Sequence, residues 1–339
     1  MGGRGILRSL IISLLSLAVL AVVCIAAAYF YVTDRFDRPG PLLTSAEVVL
    51  PPGRGAFQIA DTLYQAGVLA DPNIFAAGVW LEDTSGALKA GEYAFEPGMS
   101  AREVMVKLVG GAVIERSLTV PEGLSSAAVL ALISAESALK GEFVDTPPEG
   151  SLLPETYQYR RGDTRASLVD RMRAAMQDVL ARLWPNRAPD LPVTTQEQAI
   201  ILASIVEKET ALATERPMVA SVFINRLRQD MPLQSDPTVI YALTLGARDL
   251  GRALSRADLR IDSPFNTYRG RGLPPAPIAN PGRESLAAVL NPATSDALFF
   301  VADGTGGHAF AKTLAEHNRN VARWRRIRDA GADDGEATN

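Results

Sequence analysis

Leu10–Val32 is a run of 23 residues without a single charge. At about 1.5 Å per residue it is long enough, as a helix, to cross a hydrocarbon core of about 30 Å. No soluble fold has a use for so long an uncovered apolar rod, so the run predicts a transmembrane helix over residues 10–32. Arg4 and Arg8 precede it, and Asp34, Arg35, Asp37 and Arg38 follow it. Positive charge stays on the cytoplasmic side, which predicts residues 1–9 inside and the rest of the chain outside, on the periplasmic side. Ala26-Ala27-Ala28 offers a competing reading as a signal-peptide cleavage site. The apolar run continues past those alanines, which favours an uncleaved anchor. Val23 is too bulky for the small residue that lipoprotein processing at Cys24 would want.

Beyond the anchor, 339 residues leave ample material for a core and suit two or three domains. Cys24 is the single cysteine, so neither an intramolecular disulfide nor a cysteine metal site can form. A net charge of −4 gives no excess of Lys or Arg to neutralise phosphates, and nucleic acid is excluded as a general partner. Residues 33–43 read as a Pro/Gly linker. Over residues 44–117 short β-like runs, Pro/Gly turns and amphipathic helices alternate, at Val48–Leu50 into Phe57–Gln65 and at Tyr93–Phe95 into Glu103–Val109, with a further helix over Pro72–Glu82. Ser100 and Ser125 are predicted N-caps. The expected architecture is α+β: a single membrane helix, this small module, a larger mixed domain over residues 118–330, and a frayed tail over residues 331–339.

The larger domain centres on Thr194–Thr214, predicted as one helix with a capping box from Thr194 to Glu197. Leu202, Ile205, Val206 and Leu212 fall on one face, and Glu209 falls among them. A carboxylate in apolar surroundings loses solvation as an anion, so its pKa rises and it can hold a proton at neutral pH, as a general acid must. The plainer reading is a structural glutamate paired with an arginine. Glu207 is expected on a different face, of small and mildly polar residues, contributing at most a supporting hydrogen bond or ion pair. Loops carrying Gln234, Asp236, Tyr241, Asn266 and Tyr268 suit a groove that hydrogen-bonds a polyhydroxylated ligand and stacks tyrosine on its rings. A short buried strand is expected over Leu298–Ala302, and a last helix over Leu314–Ala330.

Other chemistries find no support. The chain has no Walker loop, no G-x-G-x-x-G after a strand, no HExxH around His308 or His317, and no G-x-S-x-G elbow. Ser137–Lys140 matches S-x-x-K, but the S-D-N and K-T-G partners of that motif are missing.

Ile201–Arg228 (ILASIVEKETALATERPMVASVFINRLR) closely resembles the signature of the YceG-like (MltG) family of endolytic murein transglycosylases. Leu233–Tyr241 (LQSDPTVIY), Leu254–Leu259 (LSRADL), Asn266-Thr267-Tyr268, Gly272–Pro275, Phe300–Gly304 and Gly307-His308 continue the likeness in order. Pro154–Tyr157 is similar to the family's P-D-T-Y, and Ala276 departs from the glycine common after Pro-Pro. The resemblance implies a membrane anchor, a LysM-like module and a catalytic domain that cleaves peptidoglycan glycan strands between N-acetylmuramic acid and N-acetylglucosamine. It also implies Glu209 as the catalytic acid, no metal or other cofactor, and peptidoglycan synthases as membrane partners. Glu155 and Glu207 join the loop residues as candidate substrate contacts. A non-catalytic wall-binding scaffold and a stem-peptide peptidase are the alternatives from other classes.

Overall fold

Helix α1, Gly3–Asp37, opens the computed structural model, which describes residues 3–336. Among the described residues α1 is the one helix long and apolar enough to cross a membrane, and from Leu7 to Tyr31 its large apolar side chains are uncovered by protein. Its last turn differs. Phe36 is buried, and its ring lies so close to Gly78 that a Cβ there would meet it at 2.5 Å. The glycine makes room for the end of α1 to dock on the first folded unit.

That unit takes the chain up to Arg116 together with Arg160–Gly162. Strand β1 (Ala46–Leu50) leads into helices α2 (Ala56–Gln65) and α3 (Pro72–Leu81), and β2 (Gly91–Phe95) returns antiparallel to β1, with Val48 opposite Tyr93. Asp71 caps α3 by accepting from the Asn73 and Ile74 amides. Helix α4 (Ala101–Gly110) starts with a Ser100–Glu103 capping box and ends on Gly111 in the left-handed conformation. Ile59, Leu63, Phe75, Tyr93, Phe95 and Leu108 close one core between the helices and the two strands.

The second unit takes Ser117–Tyr159 and everything from Asp163 onward. Strand β3 (Glu115–Thr119), which runs across the division, precedes α5 (Ser126–Ala135), capped by Ser125 as the sequence predicts, and pairs with β4 (Thr156–Arg160). Helix α6 (Arg165–Leu183) lies against the later α10, and α7 (Gln196–Glu209) follows it. From Ile201 to Val206 every residue of α7 is buried, so the helix is packed on all sides. Val219 and Phe223 of α8 (Arg216–Arg228) pack in the same core as Leu202 and Ile205. Then come α9 (Asp236–Thr244), α10 (Arg283–Leu290), the antiparallel hairpin of β5 (Phe299–Ala302) with β6 (His308–Ala311), and α11 (Leu314–Glu336).

Several sequence expectations need correction. Helix α7 is capped by Thr195 with Gln198, not by Thr194 with Glu197, and it stops at Glu209 instead of Thr214. Thr210 is extended, and its hydroxyl accepts from the Leu212 amide, a local bond that competes with another helical turn. Leu212 is therefore exposed and no part of Glu209's face. The loop read over 233–238, with Tyr241 counted among the loop residues, gives way to helix α9 from Asp236, with Pro237 in the first turn. Strand β5 is only half-buried. The tail expected to fray from Gly331 stays helical to Glu336, while residues 1–2 and 337–339 lie outside the described residues.

Candidate active site

Glu209 is the last helical residue of α7, at the end where unpaired carbonyls leave partial negative charge, so its own charge opposes the helix dipole. The carboxylate has one hydrogen-bond donor, the Ser235 hydroxyl, 2.5 Å from Oε1. Ser235 is buried at the N-cap of α9, yet its side chain makes no capping bond, because the hydroxyl is turned to Glu209 instead. Burial pushes the Glu209 carboxyl up to about 7, and the nearby Asp236 carboxylate adds to the rise. The Ser235 bond, His308 and Arg226 oppose it. The result is an acid close to half-protonated at neutral pH.

The Ser235 loop is held from two directions. Beneath it the buried Arg226 guanidinium of α8 donates to the carbonyls of Leu298 (2.7 Å) and Leu233 (2.8 Å), with Phe299 under it at 5.2 Å. Beside it runs the 266–268 segment. The amides of Gln234 and Ser235 donate to the Thr267 carbonyl and hydroxyl, at 3.1 and 3.0 Å, and Thr238 bonds the same hydroxyl at 2.8 Å. Gln234 sits in the left-handed region, at φ 51°, the bend that turns its side chain outward while the chain enters α9. Tyr268 donates its phenol to Asp236 at 2.6 Å, and burial with that bond raises the phenol's pKa.

Near Glu209 lies a histidine that is itself oriented. Nδ1 of His308, on β6, is 2.7 Å from the Glu215 carboxylate, which also accepts from the His308 amide at 2.9 Å. The ring stands edge-on to Phe300. Such a pair fixes an imidazole's rotation and tautomer.

Glu207 is built into something else. Its side chain is 4% exposed, bonded to Arg216 at 2.9 Å and to the Gly282 amide at 2.9 Å, and Arg216 reaches Glu122 at 2.7 Å. Burial raises the pKa of Glu207 too, with Gly282 and Arg216 opposing. The small, mildly polar face expected for it, with at most a supporting hydrogen bond or ion pair, carries an ion cluster of Glu207, Arg216 and Glu122.

The model of the YceG-like family matches residues 48–323. The chain belongs to this family. Similar proteins include the endolytic murein transglycosylase of Bacillus subtilis (strain 168), 34% identical over 81% of this chain and 84% of that protein. The endolytic murein transglycosylase of Streptococcus pneumoniae (serotype 2, strain D39) is 31% identical over 81% of this chain, which spans 57% of that longer protein. Among solved structures, a putative yceG-like protein, lmo1499 from Listeria monocytogenes, matches with a TM-score of 0.50 and 31% identity, over 81% of this chain and 98% of that one.

On this YceG-like framework the structure gathers Gln234, Asp236 and Tyr268 around the Ser235 loop, with the first two exposed. Asn266 lies beneath instead. It is 1% exposed, its amide donates to the Leu259 and Ile261 carbonyls, and its oxygen accepts from the Tyr268 amide, which leaves nothing to offer a ligand. Tyr241 packs on Phe265 and faces a separate cavity. Glu155 pairs with Arg283 at 2.6 Å and forms no hydrogen bond to any residue around Glu209. Sequence reasoning missed Ser235, Arg226, Glu215 and His308. Ser235 stood in plain view before Asp-Pro, a helix-start signal that would have exposed α9.

Proposed function

We propose that this chain is a membrane-anchored endolytic murein transglycosylase and that Glu209 is its single acid and base. The protonated Glu209 gives its proton to the oxygen linking N-acetylmuramic acid to N-acetylglucosamine as the C1–O bond breaks. The resulting carboxylate takes the proton of the muramic acid's own 6-hydroxyl, whose oxygen closes on C1 as a 1,6-anhydro ring. No water is consumed, so no second carboxylate has to activate one, unlike in an ordinary glycosidase. The observation that carries this reading is a half-buried carboxyl with a pKa near 7 beside exposed Gln234 and Asp236. Gln234, Asp236 and Tyr268 are read as glycan contacts. Ser235 fixes the carboxyl's rotamer, and the Arg226 guanidinium supplies positive charge as the carboxylate forms.

The anchor is read as running N-in, which puts the catalytic unit on the periplasmic side near nascent glycan and the synthases that make it. The β1–α2–α3–β2 order of the first unit supports its reading as a LysM-like glycan-binding module. Mass spectrometry of soluble products from purified peptidoglycan tests the chemistry. Muropeptides ending in 1,6-anhydromuramic acid are expected. Reducing muramyl ends labelled from heavy-oxygen water would mean hydrolysis, with Asp236 as the carboxylate to replace next.

A further inference from the structure

In the same unit as Glu209, with Lys208 and Pro237 in its lining, a cavity of about 560 Å³ opens between α9, the start of α5 and the loop over residues 246–252. Its floor is apolar, with Leu124, Ala128, Ile240 and Tyr241, and its rim is basic. Lys208, next to Glu209 in the chain, meets no anion: its Nζ donates to the Gly123 carbonyl at 3.2 Å. Arg248 is exposed and makes no hydrogen bond or ion pair among the described residues, whereas Arg252 is held by Asp258 at 2.6 Å. Asp249 lies exposed on the same loop, and Glu149, near Gly246, is hydrogen-bonded to the Ser126 amide.

We infer that this cavity is a subsite for the stem peptide of the muramic acid being cleaved, with Lys208 and Arg248 receiving the peptide's carboxylates. The inference rests on the transglycosylase reading and narrows its substrate. A GlcNAc–MurNAc backbone has no charge of its own once the lactyl group is amide-linked, so it offers two unpaired cations nothing. The stem peptide carries carboxylates on a partly apolar chain, which matches a basic rim over an apolar floor. Its attachment point is right as well. The peptide leaves C3 of the same sugar ring whose C1 is attacked, so it must emerge within one ring of Glu209. The volume falls in the range of pockets that enclose a small organic ligand and exceeds what a lone carboxylate would fill.

The test uses the full chain in detergent and two substrates, uncross-linked glycan strands with peptides intact and the same strands stripped by an amidase, with the lactyl carboxylates that stripping exposes capped as methylamides. The wild type is expected to show a kcat/KM about tenfold higher on the peptide-bearing strands, the size of one or two charge-assisted contacts. Arg248→Glu should bring that ratio close to one and Arg248→Lys should restore most of it, with thermal midpoints level because residue 248 is exposed. Higher salt should erode the wild-type preference. Equal cleavage of both substrates by the wild type would overturn the subsite, as would a preference for stripped strands. So would an Arg248→Glu loss of equal size on both. Cleavage of neither substrate by the wild type would remove the transglycosylase reading itself and the subsite with it.

Discussion

Two glutamates share the last turn of α7, and their surroundings differ in the way that separates a structural carboxylate from a reactive one. Burial raises the pKa of both. Glu207 is answered by a guanidinium and a backbone amide, and its partner Arg216 is shared with Glu122, so its lone pairs are committed. Glu209 is answered by one neutral hydroxyl, with the Asp236 carboxylate nearby pushing the other way. Desolvation alone therefore does not mark the acid. What marks the proposed acid is desolvation left largely uncompensated beside the exposed Gln234 and Asp236.

The largest effect expected from this contrast is on activity. Glu209→Gln keeps the shape and the Ser235 contact but cannot deliver a proton, so turnover should fall by about 10²–10⁴-fold. Its stability should respond with a definite sign. The folded pKa lies above the reference value of 4.5, so the folded state holds a proton over a range where the unfolded chain has lost it. The ionised carboxyl is thus a burden that is absent below about pH 4.5, grows as pH rises, and is complete above about 7. Glu209→Gln should raise the thermal midpoint at pH 8 by the equivalent of about 1–3 kcal/mol and hardly at all at pH 4. Glu207→Gln should do the reverse. It should retain chemistry in whatever protein folds while losing stability that approaches the roughly 3–5 kcal/mol of a broken buried pair, less what Glu122 still supplies to Arg216. A dead but stable Glu207→Gln would erase the contrast.

The Asn266 and Tyr268 neighbours sharpen the same division on the opposite wall. Asn266→Ala strands two part-buried carbonyls and an amide, so it should cost up to about 1–3 kcal/mol per group left unpaired, and any activity lost should follow the folded fraction. Tyr268→Phe removes only the bond to Asp236 and should lower turnover several-fold while the midpoint stays level. A stable, inactive Asn266→Ala would put Asn266 back in the groove.

Much of this was legible in residues alone. Hydrophobic period and charge located α1 and α3, and the one carboxylate among the apolar positions of α7 was Glu209. The end of α7 was not legible, because Leu212 and Ala213 continue the helical period and only the bond from the Leu212 amide to the Thr210 hydroxyl shows why the helix stops. The apolar surroundings inferred for Glu209 from Leu212 were therefore the wrong ones. Its real neighbours, Ser235 and His308, arrive from 26 and 99 positions later in the chain (235 − 209 and 308 − 209), separations that no local pattern reports. Asn266 was misjudged for a related reason. A polar residue in a loop offers its amide either to a ligand or to the loop itself, and composition does not distinguish the two.

Ser235→Ala should have the smallest effect. Losing one hydrogen bond should lower kcat by about three- to tenfold, and because that bond favours the ionised carboxylate, the apparent pKa of Glu209 should rise. A fall in kcat with no shift in the pH profile would mean that Ser235 serves α9 and not the acid.

The central claim is that the surroundings of Glu209 keep its proton available at neutral pH, and the pH dependence of kcat/KM on purified peptidoglycan tests it most directly. For a required acid in the free enzyme, the profile should be level on the acid side and fall as pH rises through about 7. A fall already complete by about pH 5, or a profile flat across about pH 5–9, would contradict the account, because the proton would then come from an ordinary carboxyl or from some other group.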